Sequence, residues 1–249
     1  MSSGPRLIGY LPVGYPHLEG SIDAAVALVE HGVEAIELGV PYSDPVMDGP
    51  VIQEATQFAL DAGFKLRHLF EAIRGIRSRG VSVPIWVMTY WNPVVQYGVD
   101  RFADDLLAAG AQGLITPDIT PDSAADWIAA SERTGLDRIF LAAPSSTDER
   151  LRMIAEASRG WVYAVSTMGV TGTREDLDSA ARDLVTRLRA AGAEHIHVGI
   201  GVSTPEQVRE VLSYADGAIV GSAIVRAIIE DRAEGAAAVA ARLAAGIAD

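Results

Sequence analysis

The stretch Val33-Glu-Ala-Ile-Glu37-Leu-Gly-Val-Pro41-Tyr-Ser-Asp44-Pro-Val-Met-Asp48-Gly-Pro50, with the helical pattern over Val51–Leu60 behind it, reads as one strand–loop–helix unit. Val33, Ala35 and Ile36 make a short apolar run of the kind a buried strand shows, and Glu37 ends it. Pro41, Pro45 and Pro50, with Gly39 and Gly49, fix the path of the loop that follows. That loop carries Glu37, Asp44 and Asp48. Strand-to-helix loops are where α/β proteins keep their chemistry. Two carboxylates held apart on rigid backbone suit proton transfer at two places on one substrate.

The same unit recurs along the chain. Further β-like runs lie at Leu7–Val13, Pro84–Met88, Gly113–Ile115, Arg138–Leu141, Trp161–Val165, His195–Val198 and Gly217–Val220. Helical spacing fills the intervals: Ile22–Val29, Leu69–Ile76, Phe102–Ala109, Ser123–Ala130, Leu151–Ala157, Leu184–Ala190, Val208–Leu212 and Ala223–Ile229, with an alanine-rich stretch over Ala236–Ile247. Thr120-Pro121 and Thr204-Pro205 place a hydroxyl cap before a proline in the first helical turn, and Gln207 completes a capping box with Thr204. Gly80, Gly110, Gly135 and Gly192 fit helix stops. No linker interrupts the series, so residues 1–249 are expected to form one domain, a closed (β/α)₈ TIM barrel. An open doubly wound sheet is the alternative.

Composition narrows the functions open to such a barrel. Of 249 residues 49% are apolar, enough for a large core, and the absence of cysteine removes disulfides, thiolate nucleophiles and cysteine metal sites. The start carries no signal-peptide pattern and no apolar run reaches membrane-spanning length, so a cytoplasmic protein is expected. A net charge of −13 argues against nucleic acid. It does not exclude a small phosphorylated ligand held by backbone amides at a helix N-terminus. His31 and His68 read as surface residues on helices, His195 and His197 as packing residues, and His17 starts a helix without an evident partner. No His–carboxylate spacing suggests a metal, and none is expected.

In a barrel of this kind the active site forms at the C-terminal strand ends. The candidates are therefore the loops after each run, among them Tyr10–Tyr15, Glu37–Pro50, Tyr90–Pro93 and Thr116–Asp118. Gly199-Ile-Gly201-Val-Ser203 follows the seventh strand, and Gly221-Ser222 opens the helix after the eighth. Barrels often bind phosphate at that corner, where glycine admits the phosphate oxygens close to the backbone. Gly169-Val-Thr171-Gly172-Thr173 can close from the other side. Read singly, each of these is also a plain tight turn.

Taken together, the residues resemble the tryptophan synthase alpha chain family. The resemblance is carried by Glu37–Pro45 with Asp48-Gly-Pro-Val-Ile-Gln53, Met88-Thr-Tyr-Trp-Asn-Pro93, Thr116-Pro-Asp118, Ser166–Gly172, Gly199-Ile-Gly201 with Ser203–Gln207, and Ile219–Ala223. It runs from Leu7 to about Ile229. It implies cleavage of indole-3-glycerol phosphate to indole and glyceraldehyde 3-phosphate, without metal or organic cofactor. By position it makes Glu37 the acid/base, Asp48 the second carboxylate, Tyr163 a pocket tyrosine and Thr171 the loop threonine that meets Asp48. Gly172, Gly201, Gly221 and Ser222 match the phosphate site. Tyr10, Met88, Ile115, Leu141 and Ile200 fall where the indole is enclosed, and Tyr90 joins the substrate-binding set. The implied partner is a pyridoxal-phosphate-dependent beta chain, in a complex of two alpha and two beta chains.

Three features depart from the family. Its usual short helix before the first strand is lacking, which implies a more exposed barrel floor. Tyr15 stands where members often have an acidic residue, and Thr167 replaces a frequent loop arginine. Two other functions therefore stay open: a stand-alone lyase releasing free indole, and a non-catalytic allosteric subunit.

Overall fold

The computed structural model describes residues 4, 6–165 and 174–247. Eight strands, β1 Leu7–Pro12, β2 Ala35–Gly39, β3 Ile85–Met88, β4 Gly113–Thr116, β5 Asp137–Ala142, β6 Val162–Val165, β7 Ile196–Gly199 and β8 Gly217–Val220, pair in sequence order into a closed parallel barrel. The open-sheet alternative falls with β8 pairing β1, Ala218 opposite Leu7. Around the barrel lie α1 Leu18–Glu30, α2 Pro50–Asp61, α3 Arg67–Ser78, α4 Trp91–Tyr97, α5 Val99–Ala109, α6 Ala125–Thr134, α7 Asp148–Ala157, α8 Arg174–Ala190, α9 Pro205–Leu212 and α10 Ser222–Ala244. No helix among the described residues is long and apolar enough to cross a membrane.

Two apolar layers hold this together. Outward strand residues such as Leu11, Leu38, Val87 and Val198 pack against the helices in the main core. Inward residues Ile8, Ala35, Trp86, Ile115, Ile139 and Ile219 fill the barrel lumen. Period-two alternation then puts Tyr10 above Ile8, Glu37 above Ala35 and Met88 above Trp86 on the inward face, at the C-terminal rim. The register sets Glu37 between Tyr10 of β1 and Trp86 of β3. At the opposite end Trp86 and Trp161 meet edge to face, and His197 stacks on Trp161 at 4.4 Å. These tryptophans are 4% exposed and His197 2%.

Most of the sequence punctuation is realised. Gly80, Gly110, Gly135 and Gly192 all take positive φ behind their helices. Thr204 and Gln207 form the capping box of α9. His17 acquires a role: its Nδ1 accepts from Gly20 N at 2.9 Å and caps α1. His195 is exposed rather than packed, because it lies one residue before β7 begins.

Two local readings change. Thr120-Pro121 opens a 3₁₀ turn, Pro121–Ser123, and Thr120 makes no side-chain cap; α6 starts only at Ala125. Tyr90–Pro93, expected as loop, runs into α4. The two last helical stretches are realised as the two halves of α10, separated by a break at Asp231 and Arg232, where Arg232 has φ 52°. That conformation is uncommon for a side chain larger than glycine. Arg232 is held there by Tyr15, whose hydroxyl accepts from its Nη1 at 3.3 Å, and Tyr15 also meets Phe58 edge to face. The aromatic departure from the family thus packs the first loop onto α2 and α10.

Candidate active site

At the C-terminal rim a cavity of about 240 Å³ is lined by Tyr10, Glu37, Asp48, Met88, Leu141 and Tyr163. Gly201, Gly221 and Ser222 line its other end. Nine of the expected site residues therefore border one space.

Glu37 sits at the base of this cavity with no exposed surface, and neither carboxylate oxygen has a hydrogen-bond partner among the described residues. An unpaired buried carboxylate is costly in its charged form. Burial first, and the Asp48 carboxylate second, push its pKa up to about 8. It is therefore a protonated acid at neutral pH, with both oxygens available to a ligand.

Asp48 is half-buried on the β2–α2 loop. Burial raises its pKa too, but the Tyr90 hydroxyl pulls it back, donating to Oδ2 at 3.5 Å. Tyr90 is fully used: its oxygen also accepts from Val46 N at 3.0 Å and Met47 N at 2.9 Å. Gln53 Nε2 donates to the Asp48 carbonyl at 2.7 Å, which explains the glutamine in the motif. The loop is thus pinned on both sides of the carboxylate. Beside it, Asp118 accepts from Trp91 N through both oxygens, at 2.9 and 3.0 Å, and caps α4.

Tyr10 and Tyr163 have pKa values raised well above the usual phenol range, by burial and by the two carboxylates. Both stay neutral hydroxyls, able to orient a ligand but not to act as phenolate bases. Room for them comes from glycine. A Cβ on Gly199 would lie 2.7 Å from the Tyr163 ring, and one on Gly39 would overlap the Tyr10 hydroxyl. Gly39→Ala is therefore expected to push Tyr10 out of place, to destabilise the fold by about 1–3 kcal/mol and to raise KM. Urea unfolding beside kinetics checks this; native stability with native KM would show that Tyr10 has another seat.

The opposite end of the cavity has features that suit an anion. Gly201 has φ 73°, a turn that favours glycine, and Ser222 begins α10 behind Gly221. The helix N-terminus turns unpaired amides and the positive end of its dipole this way. A Cβ on Gly49 would come within 4.0 Å of Ser222 Oγ, so the carboxylate loop and this corner are neighbours.

Not every expected residue reaches the cavity. Ile115, in β4, is enclosed in the lumen layer, and Ile200, one residue past β7, in the outer core; neither borders the space. Tyr90 lies behind the loop, spent on its amides and on Asp48. Thr171 and Gly172, with Thr167, fall outside the described residues. Conversely Ile52, Val165 and Ile219 line the cavity without having been given a role, and so do Met47 and Gly199, whose loops were candidates. For Gly199 and Ile219 the signal was parity, since each stands two positions before a chosen glycine.

The sequence profile described as tryptophan synthase alpha chain matches residues 2–248. The tryptophan synthase alpha chain of Leifsonia xyli is 66% identical over 240 residues, 96% of this chain and 92% of that one. That of Mycobacterium avium is 54% identical over 241 residues, 97% of this chain and 88% of its own. Among solved structures, Mycobacterium tuberculosis tryptophan synthase superposes with TM-score 0.92 at 53% identity, covering 98% of this chain and 93% of that chain. A tryptophan synthase complex from Pyrococcus furiosus gives 0.89 at 35% identity with full coverage of both chains. The barrel, the paired carboxylates and these matches agree: the chain belongs to the tryptophan synthase alpha chain family.

Proposed function

We propose that Glu37 and Asp48 divide the work of the family's lyase reaction, the reverse-aldol cleavage of indole-3-glycerol phosphate to indole and D-glyceraldehyde 3-phosphate in L-tryptophan biosynthesis. The observation that carries this is the contrast between the two acids: one buried, unpaired and protonated up to pH about 8, the other half-exposed and hydrogen-bonded. Paired acids in unlike environments take unlike roles.

Protonated Glu37 gives its proton to indole C3, and the ring becomes an indolenine cation. Asp48 stays ionised opposite the ring N–H and stabilises that charge. The hydroxyl on the carbon attached to C3 then loses its proton to the Glu37 carboxylate. Its oxygen lone pair closes the aldehyde, the bond to C3 breaks, and the electrons return to the ring. Glu37 ends as it began, so no external acid is consumed. Tyr10, Met88, Leu141 and Tyr163 enclose the indole; Gly201, Gly221 and Ser222 hold the phosphate, aided by Gly172.

The chain acts as the alpha subunit beside a beta chain, as two alpha and two beta chains. The Pyrococcus furiosus relative is a tryptophan synthase complex, which supports this. The purified chain should release indole and glyceraldehyde 3-phosphate in equal amounts, slowly alone and faster with a beta chain that co-elutes with it. Fast turnover alone, unchanged by any beta chain, would make it a stand-alone lyase. A folded chain inert in both settings would reduce it to an allosteric subunit.

A further inference from the structure

The catalytic cavity has an electrostatic gap. Its lining holds two carboxylates, Glu37 and Asp48, and no Lys, Arg or His among the described residues. The protein as a whole carries −13. A substrate phosphate arriving at Gly201, Gly221 and Ser222 meets dipoles there but no full positive charge. Amides can seat a dianion, yet a cation nearby adds attraction that dipoles in water do not match.

A second, larger space of about 800 Å³ lies on the other side of that corner and shares Gly201 and Ser222 with the cavity. It lacks both catalytic carboxylates, so it is not a rival active site. Arg226 lines it, one helical turn beyond Ser222 on α10. Residues at i and i+4 share a helix face, with Cβ atoms about 6 Å apart. A guanidinium on its flexible stem spans that distance easily, and its planar fork suits phosphate oxygens.

Arg226 is also uncommitted. It is exposed and forms no ion pair or hydrogen bond among the described residues, although Glu230 follows it at i+4 in the same groove. Other arginines are tied down: Arg182 to Asp178 at 2.7 Å, Arg187 to Asp148 at 2.8 Å and Arg189 to Asp216 at 2.6 Å. Arg242, on the same groove, sits in the field of Glu206. The acids of the groove, Glu230 and Asp231, lie further along α10 from Ser222 than Arg226 does.

We propose that Arg226 is a further substrate-binding residue, a cation one turn behind Ser222 that meets the phosphate dianion of indole-3-glycerol phosphate. The proposal rests on the placement of the phosphate at Gly201, Gly221 and Ser222. It concerns binding alone: Arg226 is remote from C3 and touches no reacting atom.

The test is indole release by the full chain, with a saturating beta chain, for Arg226→Gln, Arg226→Lys and Ser222→Asp. Inorganic phosphate serves as a competitive probe of the same corner. Arg226→Gln should raise KM about 3- to 10-fold and weaken phosphate inhibition by a like factor, with kcat within about twofold. Its KM should also lose most of its dependence on salt. Arg226→Lys should restore most of the affinity. Ser222→Asp, which puts a carboxylate at the corner itself, should raise KM further. Unchanged KM in Arg226→Gln while Ser222→Asp raises it would overturn the role of Arg226 and leave the phosphate placement standing. If neither change moves KM, the placement falls and the proposal with it. Equal losses in Arg226→Gln and Arg226→Lys, with a lowered melting temperature, would make the residue structural and would equally refute the proposal.

Discussion

Replacing Glu37 with Gln should give a chain that resists unfolding better than the native one at alkaline pH and releases almost no indole. The activity loss follows from its proposed role as the proton donor and acceptor, a contribution of about 10²- to 10⁴-fold. The stability gain follows from linkage. In the fold the Glu37 carboxyl keeps its proton up to about pH 8, against 4.5 for the ordinary group. Between those values the unfolded chain gives up the proton and the folded chain does not. Stability from this group is therefore fully present below about pH 4.5 and is lost as pH rises through about 8. Each pH unit in that window costs about 1.4 kcal/mol, so the whole window amounts to several kcal/mol. Gln does not titrate and escapes the loss. Urea unfolding at pH 5, 7 and 9 should show the difference between variant and native chain growing with pH and levelling above about 8. A difference that stays constant with pH would mean that Glu37 is ionised in the fold.

Asp48→Asn should lower kcat by about 10²- to 10³-fold, the usual effect of removing a group aimed at developing charge. It has a second readout. The Asp48 carboxylate is the second cause of the raised Glu37 pKa, after burial. Removing that charge should move the alkaline limb of the pH profile to lower pH, only part of the way, because burial remains. The hydrogen bond from Tyr90 can persist to the amide oxygen, so the loop should keep its place. A limb that stays put or moves upward would show that the two carboxylates do not sense each other.

What the sequence disclosed, and what it hid, has a physical pattern. The eight strands and the rim positions were legible because burial on both faces leaves short apolar runs, and each run ends in a loop rich in Gly and Pro. Glu37 was legible for a related reason: a carboxylate at the end of a buried run has no cheap explanation. The elements that escaped depend on contacts between distant parts of the chain. Nothing local announces α4, since its N-terminus is capped by Asp118 from the next strand's loop. The use of Tyr90 as a loop clamp rests on amides of Val46 and Met47, far away in sequence. The gap between the last two helical stretches was legible, but the bond from Arg232 to Tyr15 of the first loop, which holds the break, was not. Thr120-Pro121 failed for the opposite reason: a good local start signal was outweighed by a 3₁₀ turn before α6. Close approaches such as Tyr10 over Gly39 are visible only once register is known.

The most direct test of the account is kcat/KM for indole release from indole-3-glycerol phosphate by the native chain with a beta chain, measured from pH 6 to 10. If buried, protonated Glu37 delivers the proton to C3, the rate must fall above an apparent pKa of about 8. A rate that holds level or keeps rising through pH 9.5, from a chain still folded, would contradict it.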